Sequence, residues 1–397
     1  MPNPLRAMLE MPEAEKRERG LEHTPREISQ QPGTWRQTYQ VCRDLSQELA
    51  PVLKNLMGAG RGVGRSTFYL IGAGTSDYVG RALAPLLRRQ WQADVWALPS
   101  TTLLTDFDDF HRPDHQYLWI SFSRSGDSPE GVALLQRALD QAPAIHHIVI
   151  TCNQRGQMAQ LCARYPQQAI AVVLGEAVND RGLAMTSSFT NMLLAGQCLA
   201  HIDNLEPFGE VVAQLSETGA QFLPAASEVA EAITTLGCPR ACFVGSGALR
   251  ACADESALKV VELSAGKITT LAESPLGLRH GPMSSVDGHA LFVAYLSSEP
   301  RRRGYELDLL REMDRKKLGR VRAVVTLQGI DDVSPLTDYC LSLDCPADFP
   351  DFYRPVLDVM LGQLIGLFGS LRCGLKPDSP SPNGAITRVV QPIKLYS

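Results

Sequence analysis

Residues 117–132 read YLWISFSRSGDSPEGV and place a serine-rich loop directly after an apolar run. The run from Tyr117 to Ile120 is apolar or aromatic, which is typical of a strand that is covered on both faces. Asp127 or Ser128 is suited to cap a helix, and Pro129 fits the first helical turn. The stretch therefore predicts a strand that carries hydroxyl groups to the start of a helix, with serines at positions 121, 123, 125 and 128.

Similar apolar runs recur through the first half of the chain and alternate with helix-length segments. Between them lie helical patterns such as YVGRALAPLLRRQW (78–91) and GVALLQRALDQA (131–142). This alternation is typical of a doubly wound parallel sheet, whose strands are buried on both faces. The predicted strands are TFYLIG (67–72), QYLWISF (116–122), HHIVIT (146–151) and AIAVVL (169–174).

The same order of strands returns in the second half of the chain. ACFVGSG (241–247) has the strand-then-G-x-G form of YLIGAG (69–74). A constant offset of about 170 to 175 residues over four ordered strands indicates an internal duplication. We therefore expect an α/β fold with two tandem doubly wound parallel-sheet domains. The other repeated strands are HALFVAYLSS (289–298), RVRAVVTLQG (320–329) and YCLSLDC (339–345).

The duplication and a Pro/Ser-rich break at KPDSPSPNG (376–384) predict four segments along the chain. The expected segments are a helical N-terminal arm with one or two helices (1–45), a first domain carrying phosphosugar-binding loops (46–215), a second domain carrying a glutamate and a histidine (216–380), and a C-terminal tail (381–397).

Composition and charge exclude several classes of function. A net charge of −5 and a pI near 5.9 give no electrostatic basis for binding nucleic acid or an anionic membrane. No apolar run approaches the roughly 20 residues that span a bilayer, and the N-terminus does not resemble a signal peptide. The ten cysteines form no C-x-x-C pair, which favours reduced structural thiols over a zinc site. We expect a cytoplasmic protein.

Two loops of the first repeat follow predicted strands, where ligands of parallel sheets bind. They are GAGTSD (72–77) and SRSGDS (123–128). Serine hydroxyls and backbone amides at a helix start form a phosphate cradle without a lysine. The simpler alternative for the second loop is a serine-rich turn. A dinucleotide fingerprint is disfavoured for the first loop because Asp77 replaces the third glycine, and no P-loop pattern is present.

The second repeat has LSSEPRRRG (296–304) where the first has its serine loop. Its informative segments are DESALKVVELSAGK (254–267) and ESPLGLRHGPMSSVD (273–287). On a helix, Glu255, Lys259 and Glu262 would share one face. A carboxylate and a histidine near a phosphate cradle can form an acid–base pair without a metal. The alternatives are a solvated, salt-bridged helix face for the first segment and a simple turn for RHGP.

These motifs together resemble the tandem sugar-isomerase (SIS) domain family, which includes the isomerase half of glucosamine-6-phosphate synthase. The motifs are GAGTSD, SFSRSGDSPEG, AMTSSFTNM and ESALKVVELSAGK…RHGP, and the similarity covers most of residues 50–390. The segments ELSAGK…AESPLGLRHGP and PDSPSPNGAITRVVQ are most similar to the bacterial galactosamine-6-phosphate deaminase/isomerase branch, also known as tagatose-6-phosphate ketose/aldose isomerases. The resemblance implies two flavodoxin-like SIS domains.

The resemblance also implies roles for particular residues. Glu262 corresponds to the catalytic base of the synthase, and Lys259 to the lysine on the same helix. His280 corresponds to the histidine that assists ring opening and can come from a neighbouring subunit. The implied substrate-binding residues are Thr75, Ser76, Ser123, Arg124, Ser125, Ser128 and Lys259.

The chain departs from the synthase pattern at three places. Arg124 stands where the synthase has glutamine, and the interval from Glu262 to His280 is two residues longer. The lysine in the synthase's C-terminal tail has no clear counterpart, and Arg388 is only nearby.

The reaction implied by the resemblance converts galactosamine 6-phosphate to tagatose 6-phosphate and ammonia, without a cofactor or metal. A plain aldose–ketose isomerase that releases no ammonia and a glucosamine-6-phosphate deaminase remain open. A non-catalytic phosphosugar sensor is a third class, and the retained Glu262 and His280 argue against it. The expected assembly is a homodimer or higher homo-oligomer with the active site near the subunit interface, and no nucleic-acid or membrane partner.

Overall fold

Two five-stranded parallel sheets with flanking helices form the fold. We describe the protein from a computed structural model that covers residues 3–58, 66–113, 115–329, 333–391 and 393–396. The expected α/β class is confirmed.

The first sheet has the order β2-β1-β3-β4-β5, and each neighbouring pair is parallel. Strand β3 is buried at every position, as its continuous apolar run predicts. The strands are β1 (Thr67–Gly72), β2 (Asp94–Pro99), β3 (Tyr117–Ser123), β4 (Ile145–Thr151) and β5 (Ala169–Val173).

The second sheet has the order β10-β9-β8-β6-β7, again with parallel neighbours. When β6–β10 are matched to β1–β5, this is the same order as in the first sheet. The two sheets therefore confirm the expected tandem arrangement. The strands are β6 (Arg240–Gly245), β7 (Thr269–Glu273), β8 (Ala290–Tyr295), β9 (Val321–Leu327) and β10 (Tyr339–Leu343).

The N-terminal segment is helical but contains four helices by residue 44 instead of the expected one or two. Three of them have six or seven residues, fewer than two turns, so they show almost no periodicity in the sequence. These helices are α1 (Pro4–Leu9), α2 (Glu13–Arg19), α3 (Thr24–Ser29) and α4 (Gln31–Asp44), and α5 (Ser46–Gly58) follows.

The remaining helices lie between strands in the sequence, except α15, which follows the last strand. No helix of the described residues is both long and apolar enough to cross a membrane. The helices are α6 (Thr75–Trp91), α7 (Ser100–Thr105), α8 (Phe107–Phe110), α9 (Pro129–Gln141), α10 (Gln157–Arg164), α11 (Ser187–Ala200), α12 (Glu206–Thr235), α13 (Ala248–Leu263), α14 (Pro300–Lys316) and α15 (Pro355–Arg372).

The G-x-G sequences after β1 and β6 are required by the turn from strand to helix. A side chain at Gly72 would collide with the carbonyl group of Ser76, and one at Gly245 would collide with that of Leu249. Gly74 (φ 55°, ψ −124°) and Gly247 (φ 59°, ψ −126°) share a backbone conformation that other residues rarely adopt. The turn itself therefore accounts for the glycines, without a dinucleotide.

The chain forms two compact units, each built from segments that are distant in sequence. The first-sheet unit comprises the described parts of Gly33–Asp180, Ser187–Ala213 and Ile386–Ser397. The second-sheet unit comprises those of Met1–Pro32, Arg181–Thr186 and Gln214–Ala385. The predicted boundaries at 45, 215 and 380 divide the chain into contiguous segments of the duplicated sequence. The two units are instead divided by spatial contacts, so these boundaries remain a prediction.

The cysteines are mostly part of the core. Eight of the ten are buried, Cys373 is half-buried and Cys340 is exposed. Burial raises the pKa of Cys162 and of Cys242 to about 12. Such thiols stay protonated near neutral pH and behave as small apolar side chains.

His147 on β4 is fully buried, and its ring meets Trp119 edge-on at 5.7 Å between centroids. Among the described residues, neither of its ring nitrogens has a hydrogen-bond partner. Burial lowers the pKa of His147 from 6.5 to about 3.

Replacing His147 with Leu should reduce the loss of stability in acid. The unfolded protein binds a proton at this residue below about pH 6.5, but the folded protein does not until about pH 3. Each pH unit between these values therefore costs the folded state about 1.4 kcal/mol. Urea unfolding at several pH values measures the slope, with the half-buried neighbour His146→Leu as the control. Parallel pH profiles for wild type and His147→Leu would contradict the assignment.

Candidate active site

The loop between β3 and α9 is held by its own serines. The Ser123 hydroxyl oxygen accepts from the Gly126 amide at 3.1 Å, and that of Ser125 accepts from the Asp127 amide at 3.2 Å. Each oxygen acts as an acceptor, so each hydroxyl hydrogen remains available to a ligand. Ser128 occupies the predicted N-cap position of α9, but its side chain makes no capping bond. Helix capping therefore leaves all three hydroxyls available.

The segment after β4 fixes the backbone of this loop. The Met158 amide donates to the Gly126 carbonyl at 2.9 Å, and Asn153 Nδ2 donates to the Ser125 carbonyl at 2.8 Å. The Asp127 carboxylate accepts from the Gln157 amide at 2.9 Å, so the acidic side chain of the loop is bonded to the start of α10. The loop is thus held in place, and its carboxylate is engaged elsewhere.

The GAGTSD loop lies at the same edge of the first sheet. Strands β1 and β3 are parallel neighbours, so their carboxyl ends lie side by side. Thr75 and Ser76 begin α6 and are buried, and Asp77 pairs with Arg81 at 2.7 Å. The structure therefore places the predicted phosphate-binding residues of both loops at one sheet edge of the first-sheet unit.

Arg124 is buried and connects the serine loop to the C-terminal tail. Its Nη2 donates to the Arg388 carbonyl oxygen. Arg388 Nε in turn donates to the Asp180 carbonyl at 2.7 Å, and its Nη2 donates to Asn179 Oδ1 at 2.8 Å. The side chain of Arg388 therefore anchors the tail to the loop after β5, and its main chain contacts Arg124.

Sequence reasoning missed Asn179 and Asp180 in this network. The Asp180 carboxylate accepts from the Ser188 amide at 2.8 Å and from its hydroxyl at 2.5 Å, which explains part of the AMTSSFTNM motif. The sequence did contain a signal for these two residues. They form a polar pair shortly after a predicted strand, at the edge of a parallel sheet where ligands bind.

In the second-sheet unit, α13 carries the predicted row of charges. Lys259 Nζ lies 2.6 Å from Glu262 Oε2 and 3.4 Å from Glu255 Oε1. The side chains of Lys259 and Glu255 are fully buried, whereas that of Glu262 is 24% exposed. The solvated-face alternative is therefore wrong. The buried ammonium group holds a carboxylate that solutes can reach.

His280 is exposed and ends a short 3₁₀ helix, Gly277–Arg279. Arg279 Nε pairs with Glu312 at 2.8 Å, and Gly281 continues the turn with a φ of 121°. RHGP does form a turn, and this turn presents the imidazole to solvent.

Metal-type clusters of three or more His, Cys, Asp and Glu side chains are not found among the residues that the structure describes.

Similarity to known proteins extends over nearly the whole chain, although no model of a protein family matches it. D-galactosamine-6-phosphate deaminase AgaS of Escherichia coli O157:H7 is 34% identical over 374 residues, covering 94% of this chain and 95% of the relative. A crystal structure of tagatose-6-phosphate ketose/aldose isomerase from Escherichia coli has a TM-score of 0.80 at 32% identity, covering 92% of this chain and 95% of that one. A Clostridium novyi structure, named provisionally for the same isomerase, has a TM-score of 0.90 at 30% identity and covers 96% of each chain.

Two parallel sheets of identical strand order and a serine loop at the ligand edge of one of them define a tandem sugar-isomerase (SIS) protein. The sequence identity over 94% of the chain is specific for one branch of that class. The chain belongs to the D-galactosamine-6-phosphate deaminase (AgaS) family.

Replacing Gly156 with Ala should displace the serine loop. The new Cβ would collide with the Ser125 carbonyl oxygen and approach Gly126 Cα to 3.0 Å. We expect a loss of about 1–3 kcal/mol in unfolding free energy and weaker binding of inorganic phosphate.

Gly175→Ala is the matched control for this change. Gly175 also precedes a helix with nearly the same backbone angles (φ −61° against −65° for Gly156), but no atom lies within 4 Å of its added Cβ. Chemical denaturation and phosphate titration of the two variants give the comparison. Equal effects would mean that close packing at Gly156 does not hold the loop.

Proposed function

We propose that the protein converts galactosamine 6-phosphate and water to tagatose 6-phosphate and ammonia. The observation that carries the proposal is the Glu262 carboxylate, which is partly exposed and held at 2.6 Å by the buried Lys259. An exposed carboxylate in a fixed orientation is suited to move a proton between neighbouring carbon atoms. The similarity to AgaS deaminases over most of the chain supports the choice of substrate.

The phosphate group is assigned to the serine loop of the first repeat. Ser123, Ser125 and Ser128 offer hydroxyl hydrogens beside the start of α9, where the helix dipole favours an anion. The other predicted contacts come from Thr75, Ser76 and Arg124. Binding the phosphate anchors the substrate and so lowers the entropic cost of the reaction.

Ring opening is assigned to His280, which transfers a proton between O1 and O5 of the sugar. Glu262 then removes the proton from C2 of the open aldehyde while O1 takes up a proton, and an enolamine forms across C1 and C2. Glu262 returns the C2 proton to C1 while the amino group loses a proton, which balances the one gained at O1 and leaves a ketimine at C2. Water adds to the ketimine and ammonia leaves, so the product is the 2-ketose phosphate. The remaining carbons keep their configuration, so a galacto substrate yields tagatose 6-phosphate.

The assembly that we propose is a homodimer or higher homo-oligomer, in the cytoplasm, with the active site near the subunit interface. Its proposed partner is a small phosphosugar substrate, and we propose that it binds neither nucleic acid nor a membrane. The exposure of His280 at the surface of its turn is consistent with a histidine that serves a neighbouring subunit.

A plain aldose–ketose isomerase is the second candidate, because a similar solved structure bears that name. It would use the same base on a sugar phosphate that has no amino group, and it would release no ammonia. A glucosamine-6-phosphate deaminase would catalyse the same reaction on a substrate that differs from galactosamine 6-phosphate only in its configuration at C4.

Glu262→Gln should abolish turnover and leave phosphosugar binding unchanged. The amide cannot accept the C2 proton, but it keeps the shape of the side chain and can still contact Lys259. We expect kcat to fall by about 10³-fold or more, with the Kd for galactosamine 6-phosphate changed by less than about twofold. An ammonia-coupled assay and calorimetry measure the two quantities.

Glu255→Gln is the control, since it also removes a carboxylate beside Lys259 but lies fully buried. It should lose much less activity than Glu262→Gln. An active Glu262→Gln enzyme would rule out Glu262 as the base.

A substrate panel separates the candidate reactions. Ammonia release should be fastest with galactosamine 6-phosphate, slower with glucosamine 6-phosphate, and accompanied by formation of the ketose phosphate. Interconversion of tagatose 6-phosphate with its aldose at a higher kcat/KM than any deamination would instead identify the isomerase. Binding of phosphosugars without turnover of any of them would identify the sensor.

A further inference from the structure

The second repeat has its own strand-to-helix loop at the position of the serine loop. β8 ends at Tyr295 and α14 begins at Pro300, with Ser297 and Ser298 between them. Glu299 caps the helix, because its carboxylate accepts from the amides of Arg301 and Arg302 at 3.1 Å each. The start of α14 is therefore already satisfied by a carboxylate, unlike the start of α9.

A second carboxylate, Asp351, accepts from three further donors of this loop, while the Ser297 amide donates to Glu306 at 2.8 Å. Asp351 Oδ1 accepts from the Ser298 amide at 2.7 Å and from the Ser298 hydroxyl at 3.0 Å. Asp351 Oδ2 accepts from the Ser297 hydroxyl. Two guanidinium groups complete the surroundings, with Arg354 Nη1 at 3.3 Å from Oδ1 and Arg302 Nη1 at 3.4 Å from Oδ2. Five donor groups thus converge on one carboxylate that is 4% exposed.

This donor set has the chemistry of an oxyanion site. Hydroxyls, a backbone amide near a helix start and paired arginines are the groups that bind phosphate in proteins. In the first repeat the carboxylate of the loop, Asp127, is bonded to Gln157 and leaves the serine hydroxyls to a ligand. In the second repeat the segment after β10 supplies Asp351 to the equivalent hydroxyls.

We propose that the second repeat is an oxyanion site of the same type as the first, and that its ligand is the protein's own Asp351 carboxylate. The site takes a tetrahedral oxyanion such as inorganic phosphate when that carboxylate is removed. In the wild-type chain this carboxylate already occupies the site.

The site can be reached from solvent. The Arg302 side chain is 41% exposed, and Ser298 and Glu299 are half-buried. An ion that replaces the carboxylate would therefore meet two hydroxyls, one amide and two guanidinium groups at the edge of the second-sheet unit. Arg354 would keep its other partners, the Leu296 carbonyl at 2.6 Å and the Asp358 carboxylate at 2.7 Å.

Asp351→Ala tests the proposal by thermal unfolding in phosphate and in chloride at equal ionic strength. The variant should unfold at a lower temperature than wild type in chloride, because two buried or half-buried guanidiniums lose a carboxylate. In about 20 mM phosphate it should regain about 3–6 °C beyond any gain of the wild type. Calorimetry should find one more phosphate per chain than in wild type.

Asp358→Ala is the matched control. It also removes a buried carboxylate from Arg354, but its described partners include no serine of the loop. It should be destabilised and show only the phosphate dependence of wild type. Equal phosphate dependence in wild type and Asp351→Ala would overturn the proposal.

If Asp351→Ala does not fold, Asp351→Ser provides the second test, because it removes the carboxylate, leaves room for an ion and keeps a small polar side chain. Its stability should also rise more steeply with phosphate than that of wild type, and a parallel dependence would overturn the proposal. All these readouts are differences from wild type and need no turnover. Repeating them on a Ser123→Ala/Ser125→Ala background separates the second site from the proposed phosphate loop of the first.

Discussion

The contact between the first strand of each repeat and the helix that follows it controls the position of the predicted site residues in both repeats. At Gly72 and Gly245 the next helix approaches so closely that only a hydrogen fits. Each helix therefore begins at the carboxyl edge of its sheet. In the first repeat this places Ser76 beside the serine loop, since β1 and β3 are neighbours. In the second it fixes the start of α13, and so the register of Glu255, Lys259 and Glu262 along that helix.

Much of this architecture can be predicted from the sequence because it depends on local patterns. Continuous apolar runs locate eight of the strands, and their constant offset predicts two sheets with the same order. The spacing of Lys259 and Glu262 predicts their contact, since residues three apart are neighbours on a helix. The burial of Lys259 could not be predicted in this way. A helix face with alternating charges is usually exposed to solvent, and whether other elements cover it depends on tertiary packing that the local sequence does not show.

The contacts that distinguish the two repeats are long-range and leave no local pattern. Ser297 and Asp351 are 54 residues apart, and Arg388 meets Asn179 across 209 residues. In both repeats the segment after the last strand is connected to the loop after the third strand, through the tail in the first repeat and directly in the second. In the first repeat the segment after β5 holds the tail that contacts Arg124. In the second repeat the segment after β10 supplies the Asp351 carboxylate. One topology thus supports two different electrostatic arrangements, and the difference lies in a few side chains that sequence periodicity does not detect.

The bond between Arg124 and Arg388 also bears on how the protein is made. These residues are separated by 264 positions, so the acceptor emerges from the ribosome long after the first sheet can pair. During that interval the Arg124 guanidinium lacks the Arg388 carbonyl that it contacts in the finished fold. The first repeat of a nascent chain therefore differs, at its ligand-binding edge, from the first repeat of the completed one. The hydrogen bond between Arg124 and the Arg388 carbonyl therefore forms only after residue 388 has been synthesised.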